Sequence, residues 1–225
     1  NFNNQLQTLL GNLELAADAV HAHTSADAVL AEAITATQKA AGLSRLMLTY
    51  LGQVHIRGTR QDLAAICRSA LPSLQSSLPA RSRLEVDLPS PGPVIMAHAP
   101  HIRQILEKVL ANAGEAIGDT PGTIRLSVTP VESADIPSER RHPPDWEPVD
   151  SPHALLEIED TGHGMAEEDL DKIFDPFFST RFPGRGMGLP AVLGMIRAHG
   201  GGITIESRPN QGTRLRLYFP LAQRA

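Results

Sequence analysis

Three glycines at alternate positions exclude regular secondary structure over the run Gly184-Arg185-Gly186-Met187-Gly188-Leu189. Glycine weakens a strand interior, and inside a helix it costs roughly 1 kcal/mol against alanine. What the run suits is a loop whose backbone lies close against a ligand. Pro190 to His199 follow, with Ala191, Val192, Met195 and Ile196 at helical spacing. A glycine loop therefore leads straight into a helix N-terminus, where free N–H groups and the helix dipole favour a phosphate. A flexible surface turn would read the same way in isolation, so the assignment depends on the rest of the chain.

Any polyanion must be held by local groups rather than by the overall field. The chain carries a net charge of -5 with a pI near 6.0, which argues against a nucleic-acid surface. Its 225 residues, 41% hydrophobic and 20% charged, suit one large or two small globular domains. Cys67 is the only cysteine; no intramolecular disulfide can form, which fits a reducing compartment and predicts a cytoplasmic domain. No apolar run approaches the roughly 18 residues of a membrane span, and no signal-peptide pattern is evident, so no membrane contact by this chain is expected. A longer parent protein can still be anchored elsewhere.

Two domains are predicted, over 1–54 and 55–225. In the first, Phe2, Leu6, Leu9, Leu10, Leu13, Ala16, Ala17 and Val20 recur at helical steps. A break at 21–24 includes His21 and His23, and Thr24 or Ser25 can cap a second helix carrying Val29, Leu30, Ala33, Ile34, Met47, Leu48 and Leu51. Two such helices form a hairpin whose apolar stripe is too long to bury alone. Two hairpins packed as a four-helix bundle would bury it, which predicts a homodimer.

In the second domain, His55-Ile56-Arg57 suggests a short strand, and Asp62 to Leu78 a helix in which Pro72 is out of place. Strands are predicted at 84–88, 94–96, 123–131 and 154–159, and helices from His101 to Ile117 and from Glu167 to Ile173. The proline-rich stretch from Pro130 to Pro152 reads as a polar loop over a hairpin connection. A last hairpin joins Ile203–Glu206 to Thr213–Phe219 through Pro209-Asn210-Gln211-Gly212. The predicted class is α+β: a helical hairpin followed by an α/β sandwich with a mixed sheet and helices on one face.

Three further patches accompany the glycine loop. Asp160-Thr161-Gly162-His163-Gly164 ends a strand; its acceptor-only carboxylate can receive an amine proton, and Gly162 and Gly164 let backbone approach a flat ring. Ile173-Phe174-Asp175-Pro176-Phe177-Phe178 concentrates aromatics in a chain only 4% aromatic. Asn112-Ala113-Gly114-Glu115-Ala116 lies on a predicted helix, where the Asn112 amide offers an uncharged oxygen to a hard cation.

In this order the patches resemble the ATP-binding domain of sensor histidine kinases, within the wider GHKL group that includes gyrase and mismatch-repair ATPases. The resemblance runs from about Thr59 to Pro220, with Asn112 on the N box, 160–164 on the D-x-G-x-G box, 174–178 on the F box and 184–189 on the second glycine box. It implies ATP and Mg²⁺ as cofactors. Asn112 would ligate the metal; Asp160, with Thr213 beside it, would take the adenine amino group. Gly162 and Gly164 would shape the base pocket, and Gly184, Gly186 and Gly188 would wrap the phosphates. Arg181 and Arg185 flank the lid and are in reach of phosphates, while a solvated surface role is open to Arg181. Ile173 and Leu189 line the pocket or serve the core. Lys108 and Glu115, on either side of Asn112, complete the implied ATP-binding set. Lys108 stands where the family usually has asparagine or histidine; an ammonium there can face a phosphate but cannot ligate Mg²⁺.

The first domain resembles the dimerisation and phosphoacceptor hairpin of the H-D-F-N-N class, through Asn1-Phe2-Asn3-Asn4, Leu13-Glu14-Leu15-Ala16 and 40–45. In that register Asn1 takes the acidic position and the phosphoacceptor histidine is the residue before it, outside these 225 residues. Asn4 would position a water for removing phosphate from a partner's receiver domain. The resemblance thus implies a kinase passing phosphate from ATP to a histidine and on to a response-regulator aspartate. A second reading is a nucleotide-binding phosphatase or scaffold acting on a response regulator, which Asn1 and Lys108 favour. A third is a GHKL ATPase clamp, whose general base would be a glutamate at the position Lys108 occupies.

Overall fold

Strict alternation along the strand that ends at Asp160 fixes the centre of the second domain. In the computed structural model, Ala154, Leu156, Ile158 and Asp160 are buried, while Glu157 and Glu159 face the opposite side. A strand with one apolar face must be covered on that face. The structure describes residues 58–176, 178 and 186–223, together with 11, 13, 14 and 37. The helical hairpin with Asn1 and Asn4, the suggested strand at 55–57, and the lid residues Arg181, Gly184 and Arg185 lie outside the described residues. The chain divides into two compact units, Asn1–Thr49 and Tyr50–Ala225.

The elements of the second unit are β1 (Thr59–Asp62), α1 (Leu63–Gln75), β2 (Ser82–Asp87), β3 (Val94–Ala97), α2 (Ala99–Ile117), β4 (Gly122–Val131), β5 (Arg141–His142), β6 (His153–Asp160), α3 (Glu167–Leu170), α4 (Gly188–Ala198), β7 (Gly202–Ser207) and β8 (Thr213–Pro220). The main sheet has the order β2-β4-β6-β8-β7-β5. Its β2–β4 pair is parallel and the others are antiparallel, so the sheet is mixed. β1 and β3 form a separate antiparallel pair.

The core lies between this sheet and the helices. α2 buries Ile102, Ile105, Leu106, Val109, Leu110, Ala113 and Ile117, one stripe at three- and four-residue steps. α4 adds Ala191, Val192, Met195 and Ile196. These meet Ile124, Leu126 and Val128 of β4 and Leu215, Leu217 and Phe219 of β8. No helix among the described residues is long and apolar enough to cross a membrane.

Three sequence expectations need correction. The helix expected from Asp62 starts one residue later: Asp62 is its N-cap, and its carboxylate accepts from the Ala65 N–H at 2.8 Å. That helix runs through Pro72, an exposed position. The helix expected to reach Ile173 stops at Leu170 and continues as turns. The stretch from Pro130 to Pro152 is more than a polar loop. It forms a 3-10 turn at Ser133–Asp135 and the two-residue β5, which pairs with β7 at the sheet edge. Ile136 and Trp146 from this connection pack on Tyr218, covering part of the sheet face opposite the helices.

Candidate functional site

A cavity of about 340 Å³ opens at the end of the sheet where β6 finishes, within the range of small-molecule sites. Its walls are apolar, from Val109 on α2, Ile158 on β6 and Leu215 on β8, with Met165, Ile173 and Leu189 from the loops and the start of α4. Five polar residues are set among them: Asn112 and Glu115 from α2, Asp160 from β6, His163 from the turn after it and Thr213 from β8.

Asp160 is the most constrained of these. It is only 6% exposed, and its Oδ1 accepts from the Gly162 N–H at 2.8 Å. Burial pushes its carboxyl above the ordinary value, and backbone N–H groups of Gly162 and Thr213 oppose that rise. A buried carboxylate is tolerated where donors meet it; this one sits in a cavity where a ligand donor can add to them.

The turn after Asp160 is held on several sides. Thr161 exchanges bonds with Thr123: its N–H donates to the Thr123 carbonyl at 3.1 Å, and its Oγ1 accepts from the Thr123 N–H at 2.9 Å. The His163 N–H donates to Ala116 O at 3.1 Å, docking the turn on α2. A Cβ on Gly162 would stand 2.6 Å from the Ala116 carbonyl carbon, so only glycine allows that approach. Gly164 has φ +61, and a Cβ there would lie 1.9 Å from the Arg208 carbonyl oxygen. Ser207 closes the other side: its Oγ accepts from the Met165 N–H at 2.9 Å and donates to Gly212 O at 2.8 Å.

Across the cavity, the start of α4 faces α2. A Cβ built on Gly188 would be 3.8 Å from both amide atoms of Asn112. The glycine run thus ends in a helix N-terminus, with its free N–H groups, beside the Asn112 side chain.

Residues 97–223 match the model of the histidine kinase-, DNA gyrase B- and HSP90-like ATPase family. The chain belongs to this ATPase family. Sensor kinase CckA of Brucella abortus (strain 2308) is 28% identical over 184 residues, covering 81% of this chain and 19% of that protein. Sensor histidine kinase ZraS of Klebsiella oxytoca is 31% identical over 127 residues, 56% of this chain and 23% of that protein. The chain therefore spans about a fifth of the length of these relatives. Among solved structures, full-length ShkA in complex with AMPPNP superposes with a TM-score of 0.64 at 22% identity, covering 88% of this chain and 39% of ShkA. The fold is thus that of the ATP-binding core of a sensor histidine kinase.

Within this ATPase domain, nine residues singled out from the sequence line one cavity: Asn112, Glu115, Asp160, Gly164, Ile173, Gly186, Gly188, Leu189 and Thr213. Gly162 stands behind the wall, against Ala116. Lys108 does not line the cavity; four residues before Asn112, it is about 6 Å further along α2. Sequence reasoning missed Val109, Met165 and Leu215 as lining residues. Val109 precedes Asn112 by three positions and shares its helix face, a signal that was available; Met165 and Leu215 carry none beyond that of core residues. Among the described residues, no group of three or more His, Cys, Asp or Glu is arranged to hold a metal ion. The Asn112 amide oxygen fits Mg²⁺ nonetheless, because that ion keeps several waters and takes one or two protein ligands beside phosphates.

Proposed function

We propose that this domain binds Mg-ATP and is the catalytic part of a cytoplasmic sensor histidine kinase that autophosphorylates a histidine and supplies a response-regulator aspartate. The observation that carries the reading is Asp160: a buried carboxylate, held by the Gly162 N–H, in an apolar cavity that Asn112 and the N-terminus of α4 bound on another side. An exocyclic amine on a flat base meets the requirements of the Asp160 end, and phosphates meet those of the helix end. The AMPPNP held by ShkA supports the same ligand class.

Thr213 would assist Asp160 at the base. Ile173, Leu189 and Met165 would enclose the ring, and Glu115 would line the pocket beside Asn112. Asn112 would hold Mg²⁺, which supplies charge neutralisation between phosphate oxygens when bound. Gly184, Gly186 and Gly188 would wrap the phosphates, with Arg181, Arg185 and Lys108 as their cationic neighbours. Phosphoryl transfer is mainly positioning and charge neutralisation, so the chain's contribution is to hold base and phosphates in line with an imidazole. That imidazole would be the residue before Asn1, at the head of the 1–54 hairpin, which would pair as a four-helix bundle in a homodimer. Asn1 favours a second reading, a response-regulator phosphatase with weak kinase activity, because an amide cannot take an imidazole proton.

Asp160→Asn tests the base contact. Exchanging an acceptor-only group for a mixed one is expected to cost roughly 1–3 kcal/mol of nucleotide affinity. Calorimetric titration with a non-hydrolysable ATP analogue and Mg²⁺ measures it, and equal affinity in both proteins would reject the role of Asp160. The same titrations have a pH signature. The ligand amine needs the ionised carboxylate, and burial raises the Asp160 pKa. Wild-type affinity should therefore hold above that raised pKa and fall as pH drops through it, earlier than for an ordinary aspartate. In the asparagine variant this component should be missing.

A further inference from the structure

The connection between β4 and β6 does more than cover the sheet. It is fastened to the sheet at two points. Trp146 stacks on Tyr218 with centroids 5.8 Å apart, and its Nε1 donates to Gly200 O at 3.2 Å. Gly202 makes room for the indole, since a Cβ there would stand 2.1 Å from the ring. Arg141 ties the connection to itself, donating to Pro137 O at 2.6 Å and Ile136 O at 2.8 Å, with its guanidinium 6.0 Å from the Trp146 ring centre. β5 then pairs with β7 through Arg141 and His142.

His142, next to this anchor, reaches a different part of the domain. Its ring lies 4.5 Å from that of Phe174, tilted by 40°. Phe174 is only 3% exposed and does not line the cavity, whereas its neighbour Ile173 and nearby Phe178 do. One turn of chain therefore has its cavity side at Ile173 and its rear side on His142. Arg140 makes a second link from the same connection, an ion pair with Glu167 of α3.

We infer that His142 is a positioning residue: packed on Phe174, it braces from behind the wall to which Ile173 and Phe178 contribute, and so makes the β4–β6 connection part of the nucleotide site. The inference rests on reading the cavity as a nucleotide site. His142 is 8% exposed and its Nε2 has no hydrogen-bond partner among the described residues. A buried nitrogen left unmet gives nothing to stability, so what the imidazole contributes is its flat ring against Phe174. Asp171 and Asp175 face it and favour protonation, but burial outweighs them and holds its pKa below the ordinary value, so the ring is neutral at pH 7. A pocket whose competent wall is populated only part of the time binds more weakly by that fraction.

Titration of the 225-residue chain with a non-hydrolysable ATP analogue and Mg²⁺ tests the brace. Loss of an aromatic pair predicts about three- to tenfold weaker binding for His142→Ala. His142→Leu, which keeps apolar volume and guards against misfolding, should weaken binding similarly. His142→Phe, which keeps a flat ring and removes both nitrogens, should restore affinity to within about twofold of wild type. Glu147→Ala, which removes only the exposed partner of Arg141, should leave affinity unchanged. Folded leucine or alanine variants with wild-type affinity would overturn the proposal, as would a loss shared equally by the phenylalanine variant. Wild type that binds no nucleotide would instead overturn the nucleotide reading, and the brace with it.

Discussion

Gly212→Ala is expected to destabilise the domain by about 3 kcal/mol or more, because two separate costs fall on one methyl group. The first is conformational: Gly212 has φ +79, where an L side chain is strained. The second is steric: the new Cβ would stand 1.8 Å from the Asp160 carbonyl oxygen and 3.0 Å from the Thr161 Cα. Those atoms are backbone, so no rotamer change relieves the clash. β8 must move away from β6 where Asp160 pairs with Thr213, and that shift disturbs the carboxylate's own support. Gly200→Ala separates the two terms. Its φ is +71 but its nearest contact is the Pro220 Cγ at 3.8 Å, so it should show only the conformational cost, about 1 kcal/mol. Thermal unfolding followed by circular dichroism should place Gly212→Ala about 10 °C below wild type and Gly200→Ala only a few degrees below. Equal melting temperatures for the two variants would show that the clash relaxes freely and that the approach of β8 to Asp160 is not tight.

The contrast between these glycines shows what the sequence made legible. Pro209-Asn210-Gln211-Gly212 reads as a turn by composition alone, and its positive φ values at Asn210 and Gly212 match that chemistry. β6, β8 and α2 were legible for a similar local reason: the residues each turns toward the helix-side core recur at a fixed step along the sequence. Asp160 and Asn112 were legible as polar residues inside motifs, although only the fold brings a strand end and a helix face to one cavity. The connection from Pro130 to Pro152 was not legible. Its order depends on two apolar residues, Ile136 and Trp146, meeting Tyr218 far along the chain, and its strand has two residues, too few for a period. His142 was hidden for the same reason, since nothing beside it in sequence points to Phe174. Lys108 was read into the site from its place four residues before Asn112 in the N box; it shares that helix face but does not line the cavity itself.

A polypeptide of these 225 residues is expected to bind ATP without labelling itself. The H-D-F-N-N register puts the phosphoacceptor histidine one residue before Asn1, and no residue of this polypeptide occupies that position. His21 and His23 are poor substitutes; on a continuous helix each would lie about 30 Å or more from Asn1 at 1.5 Å rise per residue. Adding a histidine before Asn1 is therefore expected to be necessary for any labelling. It need not suffice, because the acidic residue of that register takes a proton from the imidazole and the Asn1 amide cannot. Asn1→Asp in the histidine-extended chain should raise the labelling rate, roughly 10²-fold if the carboxylate acts as a general base. Removal of phosphate from a receiver domain should follow a different residue. Asn4 can orient a water without changing its own protonation, so Asn4→Ala should abolish dephosphorylation while leaving ATP affinity intact. The measurement is transfer of label from γ-phosphate-labelled ATP to each chain, then loss of label from a phosphorylated receiver domain. Strong labelling of the unextended polypeptide, mapped to His21 or His23, would overturn the register and remove the roles assigned to Asn1 and Asn4.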